Sequence, residues 1–270
     1  MTEQAETSAI GRRAYLRDPM APERALALHM LLGRDGPKPV HGAQLRPFDH
    51  QVYFWRLFSP EDQGTDGHER IGRFLPDFGL DQRMWAGGVY SFTHALTLGQ
   101  TAEKTSEITG VTRKEGRSGP LGFVTVAHSY RQNGHVMGHE RQELVYRTGA
   151  PRKTPPPDAP VDEDEATTHC HTAVDLFRYS ALTYNGHRIH YDGDYCRDVL
   201  GLLGPVVHGP LLAQRLIDIA ARKLPEFRQF SFRAISPLFV DEPAAFCWRG
   251  DQALWVRGSD GRLCMSATAA

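Results

Sequence analysis

The chain has 270 residues, 40% of them hydrophobic and 23% charged, and its 31 Lys+Arg against 32 Asp+Glu leave a formal net charge of −1 with histidine neutral. That balance is ordinary for a folded domain and excludes wholesale disorder, collagen and a coiled coil. It also speaks against a general nucleic-acid or anionic-membrane binder, which needs a basic surplus on some face.

The opening MTEQAETSAIGRR lacks the apolar core of a secretory signal, and no apolar run approaches the roughly 20 residues that span a bilayer, so a cytoplasmic location is expected. Residues 22–32 place Ala25, Leu28, Leu31 and Leu32 at helical spacing, and the GRDGP that follows ends that helix. Four β-branched or aromatic runs come next, at 84–93, 103–112, 121–131 and 141–147, separated by Leu98-Gly99, the stretch 116–120 and Asn133-Gly134. Asn-Gly between two such runs predicts a hairpin.

Residues 151–165, PRKTPPPDAPVDEDE, cluster proline and then acid. Proline denies regular hydrogen bonding and like charges repel, so this reads as a stiff, exposed connector between a unit at 1–150 and a unit at 166–270. Beyond it the order recurs: a short strand at 166–172, a segment at 174–182 that is apolar on one side, a long helix opening near His208-Gly209-Pro210, and strands at 226–236, 244–249, 253–257 and 263–267. One helix with several antiparallel strands, twice, predicts a pair of packed α+β units. The repeat is one of element order, not of residue identity.

Cys170, Cys196, Cys247 and Cys264 form no CxxC pair and are expected as free, buried thiols. His169 and His171 alternate on a strand and share a face, but no third ligand stands near them, so no metal is expected there.

The chemistry-bearing stretch is 179–192, YSALTYNGHRIHYD, followed by GPVVHGPL at 204–211. Asn185, His187, Arg188, His190 and Asp192 fall within eight positions without the spacing of an amphipathic surface helix, a concentration that suits a wet pocket. The segment resembles the signature of the MaoC-like, or hydratase-2, branch of the hotdog fold, an aromatic residue followed by an Asp-x-Asn-Pro-Leu-His element. Tyr179 and Leu182 stand at the leading aromatic and aliphatic positions, Asn185 at the aspartate, His187 at the asparagine, Ile189 at the aliphatic residue and His190 at the histidine. The stretch 206–212, VVHGPLL, is similar to the aliphatic-His-Gly start of the family's central helix. Residues 83–88, RMWAGG, with 114–121 and 123–126, resemble the first half of a double-hotdog subgroup that includes mesaconyl-CoA and itaconyl-CoA hydratases and mitochondrial 3-hydroxyacyl-thioester dehydratases.

The resemblance implies an α+β double hotdog: two antiparallel sheets, each around a central helix, joined edge to edge. It implies a non-catalytic first half that shapes the acyl and CoA tunnel, and a hydro-lyase acting on a 2-enoyl or 3-hydroxyacyl thioester, with short C5 dicarboxylyl-CoA esters favoured. Where the family has an aspartate this chain has Asn185, which can position water but cannot take its proton. His190 is then the expected acid/base, with Asp192 or Asp194 supplying a carboxylate from the other side. Gly209 is the expected oxyanion donor at the helix start.

His187, Arg188, His208 and Arg83 are expected around the substrate. Each has a plainer reading: His187 as a loop brace, Arg188 as a surface cation, His208 as a hydrogen-bonding residue beneath Gly209, and Arg83 with its Gly-Gly neighbours as packing at a bulge. No P-loop, dinucleotide fingerprint or serine-hydrolase elbow occurs. The expected partner is an acyl-CoA substrate, with no cofactor, metal, nucleic acid or membrane, and with a homo-oligomer left open. The alternatives are a 3-hydroxyacyl-thioester dehydratase of fatty acid metabolism, a hotdog acyl-CoA thioesterase, whose carboxylate would stand on the central helix, and a non-catalytic acyl-thioester-binding protein.

Overall fold

Ten strands form one antiparallel sheet in a computed structural model that describes residues 8–80, 82–116, 119–148 and 155–270. The first half contributes β1 (Arg13–Asp18), β2 (Gln82–Phe92), β3 (Ala102–Gly116), β4 (Gly119–Gln132) and β5 (His135–Arg147). The second contributes β6 (Glu165–Cys170), β7 (Gln229–Ala234), β8 (Pro243–Arg249), β9 (Ala253–Gly258) and β10 (Leu263–Ala269). Their order is β1-β3-β4-β5-β2-β7-β10-β9-β8-β6, so β2 and β7 pair at the centre and fuse two five-stranded halves. This is the expected double hotdog, and the fusion hides two edges that would otherwise recruit other chains.

Gly87 explains why the fusion is possible. Opposite it lies Arg233 of β7, and a Cβ at Gly87 would stand 2.5 Å from the Phe232 carbonyl oxygen. The register shifts between Trp85 and Gly87, so the bulge read from the Gly-Gly pair is present beside the close packing. The 133–134 hairpin is present too, joining β4 to β5 with positive φ at both Asn133 and Gly134.

Three helices accompany the sheet: α1 (Pro22–Leu31), α2 (Ala173–Thr183) and α3 (Gly209–Lys223). In α3, Leu211, Leu212, Leu216, Ile219 and Ala220 are buried in one core with Phe230, Phe232, Leu254, Val256 and Met265 of the surrounding strands. The first half is built differently: α1 has ten residues, and the segment around Phe48–Phe54 joins it in filling the space against Tyr90 and Tyr130. The halves are also tied by Arg34, whose guanidinium receives both carboxylate oxygens of Asp49 and both of Asp218 on α3, each at 2.8 Å.

Strand β1 has no sequence signal of its own. RAYLRD is an edge strand whose burial alternates, with Tyr15 67% exposed, but polar residues stand on both faces, Arg13 and Arg17 on one and Asp18 on the other, so six residues give too weak a pattern to stand out. The connector also differs from its reading. Residues 151–154 lie outside the described residues, but the part that follows is strapped to the second half. Trp255 Nε1 donates to the Pro160 carbonyl at 3.1 Å, Arg257 pairs with Glu163, Arg249 pairs with Asp162 at 2.7 Å, and Ala159 is buried. The acidic run meets arginines on the sheet, a pairing that local charge counting does not reveal. Cys196, Cys247 and Cys264 are free and buried as expected, whereas Cys170, on the edge strand β6, is exposed. No described helix is long and apolar enough to cross a membrane.

Candidate active site

The polar motif sits where α2 ends. Thr172 and Asp175 form a reciprocal capping box at the start of α2, and Tyr184 closes it in a left-handed conformation (φ 52°) that turns the chain into the motif. Trp55, from the first half, donates its indole N–H to the Leu182 carbonyl at 2.9 Å and stacks on Tyr184. The Asn185 N–H then donates to the Ser180 carbonyl, which fixes the residue against the helix end.

His190 is held by one decisive bond. Its Nδ1 lies 2.7 Å from the Val206 carbonyl oxygen, which can only accept, so Nδ1 carries the proton and Nε2 keeps its lone pair. Burial keeps the ring neutral, pulling its pKa down to about 4 against the opposing pull of the Val206 carbonyl. His208 lies flat against it, ring centroids 3.6 Å apart at 18°. His208 is itself fully buried, with Nε2 2.8 Å from Ser180 Oγ and its face edge-on to Tyr179. His187 meets the edge of His190 at 5.5 Å and leans on His68 at 4.3 Å, so four imidazoles run in sequence through the site. Burial pulls the pKa of all four down, for His187 to about 2, and at His68 the Asp66 carboxylate opposes that pull.

His68 belongs to the first half, and the sequence reading did not single it out. Its Nε2 lies 3.1 Å from Asn185 Oδ1, which also accepts the His187 N–H at 3.0 Å. With the carbonyl oxygen of the Asn185 amide so engaged, Nδ2 is left as the donor that can face a water or substrate. On the other side, His68 Nδ1 stands 3.4 Å from Asp66 Oδ2, and Arg83 Nη2 stands 3.5 Å from the same oxygen. Burial raises the Asp66 pKa, but the His68 bond and the charges beside it outweigh that and hold the carboxyl below the usual range. Thus the carboxylate expected from Asp192 or Asp194 comes instead from Asp66. Asp192 is engaged by Arg188 at 2.8 Å and by the Tyr195 N–H, and Asp194 is exposed and paired with Arg197. The reading of the first half as a tunnel wall is amended accordingly, since it brings Asp66, His68 and Arg83 to the motif.

The two halves interlock through backbone here. Arg188 N donates to the Asp66 carbonyl at 2.9 Å, and a Cβ on Gly67, which has φ +89°, would fall 2.0 Å from the Gly186 carbonyl oxygen. Glycine is required at 67 both for that conformation and for that approach. Arg188 is engaged elsewhere: it grips Asp192, donates to the Thr65 carbonyl and lies 4.1 Å over the Tyr195 ring, the plainer role weighed for it. Arg83 is 12% exposed, on β2 opposite Tyr146.

Gly209 is the first residue of α3, and among the described residues its N–H finds no acceptor. Pro210 has no N–H to offer, so Gly209 is the donor presented by this helix start. Trp85 closes the wall beside it: a Cβ on Gly209 would meet the indole at 3.4 Å, and the indole stacks on Phe48 and meets Phe232 edge-on, with Nε1 buried and, among the described residues, unpartnered.

Asp66, His68 and His187 place one ligand atom each within 4.8 Å of one another, a set able to receive a single cation. The His169–His171 pair is differently used: both Nε2 atoms accept from Arg215, at 2.7 and 3.0 Å.

A family model described as hydroxyacyl-thioester dehydratase type 2 matches residues 48–240. The chain is 38% identical over 269 residues to the mesaconyl-C(4)-CoA hydratase of Chloroflexus aurantiacus, an alignment covering 96% of this chain and 95% of that protein. It is 27% identical over 248 residues to the mitochondrial hydroxyacyl-thioester dehydratase type 2 of Schizosaccharomyces pombe, covering 78% and 80%. A solved MaoC-like dehydratase superposes with a TM-score of 0.73 at 12% identity over 98% of this chain and 99% of its own. The match over most of the chain places it plainly: the protein belongs to the hydroxyacyl-thioester dehydratase type 2 family.

Proposed function

We propose that the protein hydrates a C5 dicarboxylyl 2-enoyl-CoA, with mesaconyl-C(4)-CoA as the first candidate. The substrate rests on the 38% identity to the Chloroflexus aurantiacus hydratase. The chemistry rests on one observation, the Val206 carbonyl that fixes the tautomer of His190 and leaves Nε2 as a base.

In this reading a water donates to His190 Nε2 and accepts from Asn185 Nδ2. Its oxygen adds to the alkene carbon β to the thioester while His190 takes its proton. Electron density moves to the thioester oxygen, where the Gly209 N–H and the N-terminal end of α3 stabilise the enolate, and the proton held on His190 is then delivered to the α carbon, restoring the neutral ring. Dehydration of a 3-hydroxyacyl thioester follows the same path in reverse. Asp66 and His68 orient the Asn185 amide by fixing its oxygen, so they are positioning residues. Arg83, with Tyr146 across the strand pair, is suited to the free carboxylate of a dicarboxylyl substrate. Arg188 and His187 have supporting roles, the first in the motif loop and the second between His68 and His190.

No cofactor is required. Arg83, 3.5 Å from Asp66 Oδ2, supplies fixed positive charge that disfavours a divalent ion between Asp66 and His68. The first turn of α3 carries no acidic residue, which leaves the thioesterase reading without its helix carboxylate.

The test is loss of enoyl absorbance with mesaconyl-C(4)-CoA, itaconyl-CoA and crotonyl-CoA, run with a thiol reagent and repeated after dialysis against EDTA. Hydration without thiol release, unchanged by EDTA, is expected. Release of CoA thiol would move the protein to the thioesterases, and binding without turnover would make it a carrier.

A further inference from the structure

A second basic site lies at the far end of α3. A cleft of about 470 Å³ opens between the C-terminal half of α3, the edge strand β6 and the turn after α1. At a rise of 1.5 Å per residue, the inner Arg215 lies about 9 Å and the rim Arg222 about 20 Å along the helix from Gly209, so the cleft opens away from the histidine row.

Arg215 forms its inner wall. Its guanidinium is fixed by three acceptors, His169 Nε2, His171 Nε2 and, at 3.4 Å, the Leu32 carbonyl. A guanidinium only donates, so both imidazoles accept through lone pairs and are neutral. The result is a largely buried cation that is well hydrogen-bonded but lacks any carboxylate at ion-pair distance among the described residues. Buried charge is ordinarily paired. The nearest candidate, Asp218, gives both oxygens to Arg34, and Arg34 is matched further by Asp49. Two more arginines, Arg46 and Arg222, are exposed at the rim and also make no ion pair among the described residues. Three guanidinium groups thus border one cleft without an ion pair among the described residues, against a single further carboxylate in the lining, the exposed Asp35, and the innermost is already held in place.

We propose that this cleft binds a multiply charged phosphate anion, a diphosphate or phosphomonoester, bridged between Arg215 and the rim arginines. With Asp35 counted the lining still carries an excess of positive charge, which favours an anion with more than one negative charge, and the volume admits a diphosphate with part of what it is attached to. Two sources share this chemistry: the phosphates of a CoA thioester whose acyl end lies in the active site, and a separate phosphorylated metabolite.

The experiment titrates the full chain with inorganic pyrophosphate at constant ionic strength, followed by calorimetry and thermal unfolding, with chloride as the control. Saturable binding is expected, and charge reversal at the exposed rim, Arg46→Glu with Arg222→Glu, should weaken it at least about tenfold, as loss of charge-assisted hydrogen bonds does. Arg215→Gln is the second variant, with its own melting curve as the folding control. Binding no tighter than chloride, or binding indifferent to the rim variants, overturns the proposal.

A second arm identifies the source and rests on the hydratase reading, whereas the titration does not, so failure of either is distinguishable. If the rim variants raise KM for the CoA thioester but not for the pantetheine thioester, the anion is the substrate's own tail. If both KM values stay unchanged while pyrophosphate binding is lost, the ligand is a separate phosphorylated molecule.

Discussion

His190 and His208 lie face to face with ring centroids 3.6 Å apart, and each is anchored at its own end, one by the Val206 carbonyl and the other by the Ser180 hydroxyl. The stack leaves His190 one free atom, Nε2, and one orientation. A ring so held is a base already aimed, which lowers the entropic part of the barrier.

Replacement of that base should therefore separate chemistry from binding. His190→Ala is expected to lower kcat by about 10²–10⁴, the usual worth of a positioned acid/base, with the dissociation constant for the CoA ester and the melting temperature little changed. Stopped-flow or steady-state absorbance gives the first quantity and calorimetry the second. Lost affinity with unchanged kcat would remove His190 from the chemistry.

The rate should also have an unusual acid limb. His190 must be neutral to accept a proton, and burial pulls its pKa down to about 4. The profile of kcat/KM in the free enzyme is expected to stay flat on descending through neutrality and to fall only near that value. An acid limb at the ordinary imidazole value of 6.5 would show that the ring is more solvated than its surroundings imply.

Stability should fall on the acid side for the same physical reason. Burial lowers the pKa of His128 and His171 to about 3 and of His190 to about 4, from 6.5 in an unfolded chain. Between those values the unfolded state binds more protons than the folded one, so stability decreases as pH falls. The contribution is whole above 6.5 and is lost progressively towards the folded pKa values. Urea unfolding at a series of pH values checks the sign: midpoints should drop steadily below about pH 6.5, before most carboxylates titrate.

Gly67→Ala tests the interlock between the halves. The new Cβ would meet the Gly186 carbonyl at 2.0 Å in a backbone conformation at φ +89°, so the 64–70 loop must shift. Loss of about 1–3 kcal/mol is expected from the strain, with a fall in kcat as His68 leaves Asn185. Chemical denaturation and the hydration assay read the two effects, and a variant with native stability and rate would refute the docking.

Gly209→Pro removes a single N–H at a helix position that favours proline. Stability should hold, while kcat falls about 10²–10³, as on loss of an oxyanion donor. A change confined to KM would instead indicate blocked entry.

What the chain reveals locally was legible in the sequence. The long strands β2–β5, the 133–134 hairpin, the helix opening at Gly209 and the Asn185–His190 string all announce themselves through periodicity, turn residues or a run of polar side chains that no surface helix would arrange. Strand β1 stayed hidden because it is a short edge strand with polar residues on both faces. The acidic 162–165 run is largely exposed as read, but its attachment was not legible because its partners, Arg249 and Arg257, are far away in sequence.

The active site divides along the same line. The base, the amide and the helix start of the proposed mechanism could all be named from the motif by itself, since these residues lie within about two dozen positions of one another and their types suit that chemistry. Only the tertiary structure decided which carboxylate completes the site. Asp66-Gly67-His68 sits in a strandless loop over a hundred residues from Asn185, and no local pattern ties the two together. Their meeting is fixed by the β2–β7 seam and by the backbone contact of Gly67 with Gly186, and packing of that kind over long sequence distance leaves no periodic trace in the chain.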